Sequence, residues 1–429
     1  MGYNQISMLP FIPSKIQLPN LRPELVLRPH LYQRLTAGLS GKLTLISASS
    51  GFGKTTLVNA WVQRCGRPVA WLTLDELDND PLRFLSYLVR AVQSIQPRFG
   101  AALLETLATA NLQDFDPVPV RFLEALVAEI AAMQVSFLLV LDDYHIITRP
   151  AIQAVSQFLF NHQPANLHQV LISRSDPPWP LARLRARREM NEIRSADLRF
   201  NPQEAAEFLT NCMGLKLTEA EIAALETRTE GWIAGLQLAA LSLQGDASPQ
   251  EIIASLSGRR RFIADYLIEE VLEKQTPDVQ EFLLKTSVLD RMNAALCDEV
   301  IGRSDSQATL LQLERANLFL QALDHDRKWY RYHHLFADLL RIKLGQTDPG
   351  LAAKLQRRAS LWYDAQGQRL EALHYAIASG DSQLVERLFA GNVFLLFHHE
   401  DVGAAFQELA AMPLSMVSDK PWLGIAHSY

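Results

Sequence analysis

Cysteine is scarce in this 429-residue chain, and its three residues, Cys65, Cys212 and Cys297, stand far apart. No two have metal-ligand spacing, so a zinc module or a disulfide scaffold has nothing to build on. That usage fits free thiols in a reducing compartment, and a cytoplasmic location is expected. Positive charge is not in excess. Lys and Arg number 41 against 47 Asp and Glu, a net charge of −6, which leaves no global footprint for nucleic acid. A local cluster, Arg183, Arg185, Arg187 and Arg188, reads as a solvated helix face. No apolar run approaches the length of a membrane span. Residues 1–20 lack a charged start followed by an apolar core, so no secretory signal is expected there. What is left is an ordinary globular composition, 48% hydrophobic and 21% charged, at a length that predicts two to four domains.

Against this plain background stands Ala48-Ser-Ser-Gly-Phe-Gly-Lys-Thr-Thr56. An apolar run suited to a buried strand, Leu43–Ile46, precedes it, and Leu57, Val58, Trp61 and Val62 follow at helical spacing. Strand, glycine-rich turn, Lys-Thr and helix is the context a phosphate-binding loop needs. Gly51 and Gly53 let Ser50, Phe52 and their neighbours turn backbone N–H groups around an anion. The start of the helix, through Thr55 and Thr56, adds further N–H groups and a favourable dipole. Lys54 is the candidate for the β- and γ-phosphates, and the Thr55 hydroxyl for Mg²⁺. The first glycine usual in this pattern is Ala48 here. The competing reading is an ordinary strand–helix turn.

A nucleotide site also needs acids. Phe137–Leu141 is continuously apolar, as expected of a central parallel strand, and ends in Asp142-Asp143. In open α/β sheets, ligands bind beyond the carboxyl ends of the strands. Asp142 is the candidate metal ligand, and Asp143 the group that orients or deprotonates an attacking water. Taken alone, the pair could equally be a turn after a strand. A third run, Gln169–Ser173, is followed by Arg174, whose fixed fork suits a γ-phosphate; a surface ion pair is the alternative. Val69–Leu74 is a fourth run and ends at Asp75. At least four parallel strands separated by helical stretches predict an α/β core over about residues 25–200.

From Asn201 onward helix dominates. Asn201-Pro202-Gln-Glu204 has a cap, a first-turn proline and a capping-box glutamate. Residues 230–240 read as a helix with close-packing small residues, and 201–258 as a helical domain. Over 259–345, helices at 262–272, 278–286, 295–300 and 307–316 lead to two short strands around the polar turn Asp324–Lys328, which suggests a winged-helix module. The helix before the wing has no cluster of Lys and Arg, which argues against major-groove reading. His333 and His334 are adjacent and make a poor metal pair; a histidine packed on aromatics is the plainer reading. Residues 346–429 begin what looks like a helical repeat array, with turns at Gly367 and Gly380. The chain ends at Tyr429 within an apparent helical segment, so a truncated repeat domain is expected.

The ordered set resembles one family: the MalT-like STAND ATPases, large ATP-binding regulators of the LuxR family. Ser14–Pro19 and Leu25-Val-Leu-Arg28-Pro29 resemble the family's N-terminal lead-in (1–24 and just beyond), which sits near the adenine. The P-loop, Trp71–Asp80, Leu141–His145, Ile172–Pro178, Leu181–Ala186, Thr229–Trp232 and Tyr330–Phe336 follow in the family's order. The resemblance implies a nucleotide switch. ADP would hold a closed resting form, and ATP with an inducer would open it for self-association, with slow ATP hydrolysis as a timer. It implies nucleotide contacts from Arg28, Pro29 and His333, the last to the β-phosphate, and a sensor role for Arg174. Position 233, often proline in related ATPases, is Ile233. The family's C-terminal helix-turn-helix is not in this chain, so direct DNA binding is not expected of it. An interaction scaffold that binds nucleotide without turnover is the alternative function.

Overall fold

A computed structural model describes residues 11–21, 23–110, 115–243 and 261–390. The chain divides into two compact units, Met1–Ala240 and Leu241–Tyr429. Among the described residues no helix is long and apolar enough to cross a membrane.

The first unit is built on five parallel strands: β1 Leu43–Ser47, β2 Val69–Thr73, β3 Phe137–Asp142, β4 Leu167–Ser173 and β5 Met190–Arg194. Their order is β2-β3-β4-β1-β5. Every residue of β1, β3 and β4 is buried. That burial on both faces is why β3 reads as a continuous apolar run rather than an alternating one. Helices α1 Pro29–Ala37, α2 Lys54–Val62, α3 Pro81–Gln93, α4 Ala101–Thr109, α5 Val120–Ala132, α6 Pro150–Asn161 and α7 Leu181–Ala186 connect or flank the strands. Leu139 and Leu141 join Phe84, Leu88 and Leu126 in one core. The strand β5 adds to the four expected. Only Ile193 in it is buried, so its sequence has no apolar run to betray it.

Four more helices follow: α8 Ser195–Leu198, α9 Pro202–Glu207, α10 Glu219–Thr229 and α11 Ile233–Leu243. The start of α9 has the expected reciprocal cap. Glu204 N–H donates to Asn201 Oδ1 at 2.9 Å, and Asn201 N–H to Glu204 Oε2 at 3.0 Å. The helix expected from residue 230 is corrected: Glu230 and Gly231 have φ of 50° and 68°. Glu230 is the left-handed C-cap of α10, so α11 starts only at Ile233. The predicted helical domain's residues 244–258 lie outside the described residues.

In the second unit, α12 Arg261–Leu267 runs into a π-helical turn, Ile268–Leu272. Then come α13 Pro277–Thr286, α14 Ala294–Ile301 and α15 Ser306–Arg315, followed by the antiparallel pair β6 Leu320–Ala322 and β7 Tyr330–Tyr332. The polar turn between these strands is held by Asp324, whose carboxylate accepts from Lys328 N–H at 2.9 Å and Trp329 N–H at 2.8 Å. Met292 bridges to Tyr330 on the other side. Helices and hairpin thus form the expected winged-helix module. Helices α16 His334–Thr347, α17 Leu351–Ala365, α18 Arg369–Ser379 and α19 Ser382–Ala390 follow. Tyr363 and Tyr375 stack with centroids 5.4 Å apart between α17 and α18. Gly367 and Gly380 both take φ of 73° at the expected turns. The rest of the predicted repeat segment, 391–429, lies outside the described residues.

Candidate nucleotide-binding site

The loop from Ala48 to Gly53 closes on the side chain of Lys54. Lys54 Nζ donates to the carbonyls of Ala48 and Ser49, both at 2.8 Å, and the residue is 8% exposed. Burial, with the positive charge of Arg174 next in weight, pulls its pKa down to about 8; Asp143 and Asp142 oppose the fall. Gly51 and Gly53 take φ of 78° and 71°, a region costly for any residue with a Cβ. At Gly53 a Cβ would also lie 2.9 Å from Ile233 Cδ1.

The strand order explains how the other candidates converge. The strand β4 lies between β1 and β3. Arg174, just past the end of β4, therefore emerges between the P-loop strand and the acid strand, each about 5 Å away. The Thr55 hydroxyl lies 3.1 Å from both Asp142 carboxylate oxygens. Burial, followed by the neighbouring Asp143 charge, raises the Asp142 carboxyl to about 7, and Thr55 resists that rise. Asp143 is partly exposed and sits in the left-handed region at φ 57°. A hydroxyl and a buried carboxylate held apart from water at a cost suit a hard divalent cation. Among the described residues no three His, Cys, Asp or Glu side chains cluster where they could hold a metal ion. Thr55 and Asp142 are the residues that would hold Mg²⁺, and its charge would neutralise phosphate oxygens.

The acid-strand turn is itself held from one side by the motif at 75–80. Asn79 Nδ2 donates to Ile146 O at 3.0 Å, and its Oδ1 accepts from the backbone N–H of Thr148 and Arg149 at 2.9 and 3.0 Å. Asp75 and Asp78 act elsewhere, receiving the buried Lys15 and Arg83. Asp75, the acid that ends the β2 run, is thus an anchor for the N-terminal segment.

Beside the P-loop a cavity of about 370 Å³ opens. Its walls include Val26, Tyr32, Gly53, Phe200, Phe208 and Ile233, an apolar and aromatic lining suited to a flat ring system. None of Tyr32, Phe200 and Phe208 was marked by a motif in the sequence. Arg28 lines the same cavity but spends its guanidinium on the protein. It pairs with Glu204 through Nε at 2.9 Å and through a terminal nitrogen at 3.0 Å, and donates to the carbonyls of Leu198 and Arg199 at 2.8 and 2.7 Å. Pro29 is exposed at the start of α1 and does not line the cavity. Thr56 does.

The segment Thr229–Ala234 grips the P-loop directly. Trp232, fully buried, donates its indole N–H to Ser50 O at 3.1 Å, and Ala234 N–H donates to Gly51 O at 3.0 Å. With Ile233 against Gly53, three consecutive residues seat against the loop. His333 belongs to the second unit. It is 1% exposed, its backbone N–H donates to Phe319 O at 2.8 Å, and its ring meets the Phe319 ring edge-on. Those contacts agree with the plainer reading, a histidine packed on aromatics.

Comparison with known proteins adds the lineage. The MalT winged helix domain matches residues 268–352. The HTH-type transcriptional regulator MalT of Klebsiella pneumoniae (strain 342) is 34% identical over 418 residues, 96% of this chain and 45% of that protein. The regulator of the same name from Yersinia enterocolitica is 33% identical over 420 residues, 97% and 46% of the two chains. The chain thus spans a little under half the length of the curated relatives it matches. Among solved structures, a Walker-type ATPase of Pyrococcus abyssi aligns with a TM-score of 0.51 at 16% identity, over 75% of this chain and 99% of that one, an agreement of fold. With its parallel P-loop sheet, its MalT winged helix domain and similarity along nearly its whole length, the chain is a MalT-like protein of the P-loop NTPase fold.

Proposed function

We propose that this chain is the nucleotide-binding switch portion of a MalT-like regulator, and that it takes ATP and ADP with Mg²⁺. The observation that carries the reading is Lys54: a buried cation whose hydrogen bonds go to neutral carbonyls. A phosphate is the partner its charge lacks. On this reading Ser50, Gly51, Phe52 and Gly53 present backbone N–H groups to the phosphates, and Lys54 and Arg174 meet the terminal one. Thr55 and Asp142 hold the cation, and Asp143 orients the attacking water. The base enters the cavity bounded by Tyr32, Phe200 and Phe208; Arg28 shapes its wall, and Pro29 acts only by starting α1. Domain limits of 25–200, 201–258, 259–345 and 346–429 go with this assignment.

Hydrolysis is slow and serves as a timer, ADP marks the resting form, and the ATP form self-associates in response to an inducer. Such a switch needs only that nucleotide contacts differ between two states. The relatives' name, HTH-type transcriptional regulator, supports the regulatory half. His333 as a β-phosphate contact rests on the family resemblance. Its test is His333→Ala, which should speed ADP release; an unchanged off-rate would return it to a packing role.

The test of the whole reading is to denature the purified protein and identify the nucleotide released. Near one ADP per chain is expected. An empty site with rapid turnover of added ATP would point to an ordinary ATPase. Comparing Asp143→Asn with Lys54→Ala separates switch from scaffold. The switch loses hydrolysis but keeps binding in the first variant; the scaffold is indifferent to it.

A further inference from the structure

Three strand ends meet just before the P-loop. The pairing register sets Ser47, the last residue of β1, beside Ser173 of β4 on one side and Arg194 of β5 on the other. The chain leaves β4 through Arg174, and two residues later Asp176 reaches back to this row. Its carboxylate accepts from the Ser47 hydroxyl at 2.9 Å. Arg194 holds the same carboxylate with both terminal nitrogens, one of them at 3.2 Å. Arg194 is fixed in turn. Its side chain reaches Glu192 at 2.8 Å, Glu192 takes Arg185 at 2.9 and 2.8 Å, and its backbone N–H donates to Asp197 at 2.8 Å. A lone surface ion pair would mean little. Here Ser47 is fully buried, Asp176 and Arg194 are half-buried, and a two-pronged arginine–carboxylate pair adds fixed geometry to charge. The acid thus ties the end of β4 to β1 and β5, one residue before Ala48 begins the P-loop. Arg174 lies between β4 and this tie, and its charge is felt at Lys54. Arg194 also balances the Asp176 charge, which would otherwise oppose a phosphate nearby.

We propose that Asp176 is a positioning residue that clamps the Arg174 loop to the P-loop strand, so that Arg174 stands beside the terminal phosphate of ATP. The proposal rests on the nucleotide-switch reading. Asp176 touches no nucleotide and acts through Arg174. ADP has no γ-phosphate, so the clamp bears on ATP and helps the site tell the two nucleotides apart.

Calorimetric titrations with ATP and ADP test it. Asp176→Ala should weaken ATP about tenfold relative to ADP. Arg174→Ala should move the ratio in the same direction, and adding Asp176→Ala to it should change the ratio no further, because the acid acts through the arginine. Ser47→Ala leaves the Arg194 pair in place. It should shift the ratio the same way by a smaller factor, and it serves if Asp176→Ala does not fold. An unchanged ratio with a lowered melting temperature would mean that the clamp only holds the sheet together, and would overturn the proposal. Additive effects in the double variant, or equal losses of ATP and ADP, would overturn it as well. A wild-type chain that bound neither nucleotide would fail the switch reading itself, and the clamp with it.

Discussion

Two buried lysines in the first unit are held in opposite ways. Lys15 and Lys54 are 7% and 8% exposed. Lys15 meets two carboxylates, Asp75 at 2.7 Å and the fully buried Asp78, and Arg83 Nε meets Asp78 at 3.0 Å. Both cations lie over the Tyr87 ring. The charge there is internally balanced, and the cluster pins the N-terminal segment to α3. Lys54 has only carbonyl oxygens, with Asp142 and Asp143 acting from farther off. A cation that the protein neutralises is an anchor; one that it merely cradles is prepared for an external anion. Burial alone does not distinguish them, but the partner does.

Substitutions can sharpen that contrast. The largest effect is expected from Lys15→Met, which leaves Asp78 buried beside Arg83 alone; denaturant titration should show a loss of about 3–5 kcal/mol. A third mode, a buried base kept neutral, is next. His168 bonds Thr44 Oγ1 at 2.9 Å and Gly41 O at 3.0 Å, and burial pushes its pKa down to about 4 from 6.5. The unfolded chain takes up this proton below about 6.5, and the folded chain only near 4. Stability should therefore fall as pH drops through that window, by up to about 3 kcal/mol, and His168→Gln should flatten the slope. Lys54→Ala should weaken ADP by about 100-fold in calorimetric titration, with no loss of unfolding stability. Unchanged affinity would put the contrast itself in error. The smallest change is Asn201→Ala, about 1 kcal/mol of thermal stability through the lost cap of α9.

Features set by local backbone chemistry were legible in advance. The P-loop glycines, the acids ending β3, the Asn201–Glu204 box and the Gly367 and Gly380 turns each depend on residues within a few positions of one another. The cavity was not legible, because its walls come from Val26, Tyr32, Gly53, Phe200, Phe208, Ile233 and their neighbours, which only the fold brings together. Nor was β5, an edge strand of mixed polarity. The false helix start at Glu230 has a definite cause. Its apolar pattern does begin nearby, but Gly231 must pass close to Phe200, where a Cβ would lie 2.4 Å from a carbonyl oxygen. That approach turns the chain before α11 can begin. Arg28 was legible as a feature of the family but not in its job, since its carboxylate partner lies 176 positions away.

The bond from Trp232 to Ser50 O also makes the loop self-reporting. Indole emission depends on what its N–H touches, and this N–H donates straight into the phosphate loop. With the other six of the chain's seven tryptophans replaced, the colour of that one fluorophore would report any rearrangement of the loop in real time, without a dye or a modified nucleotide.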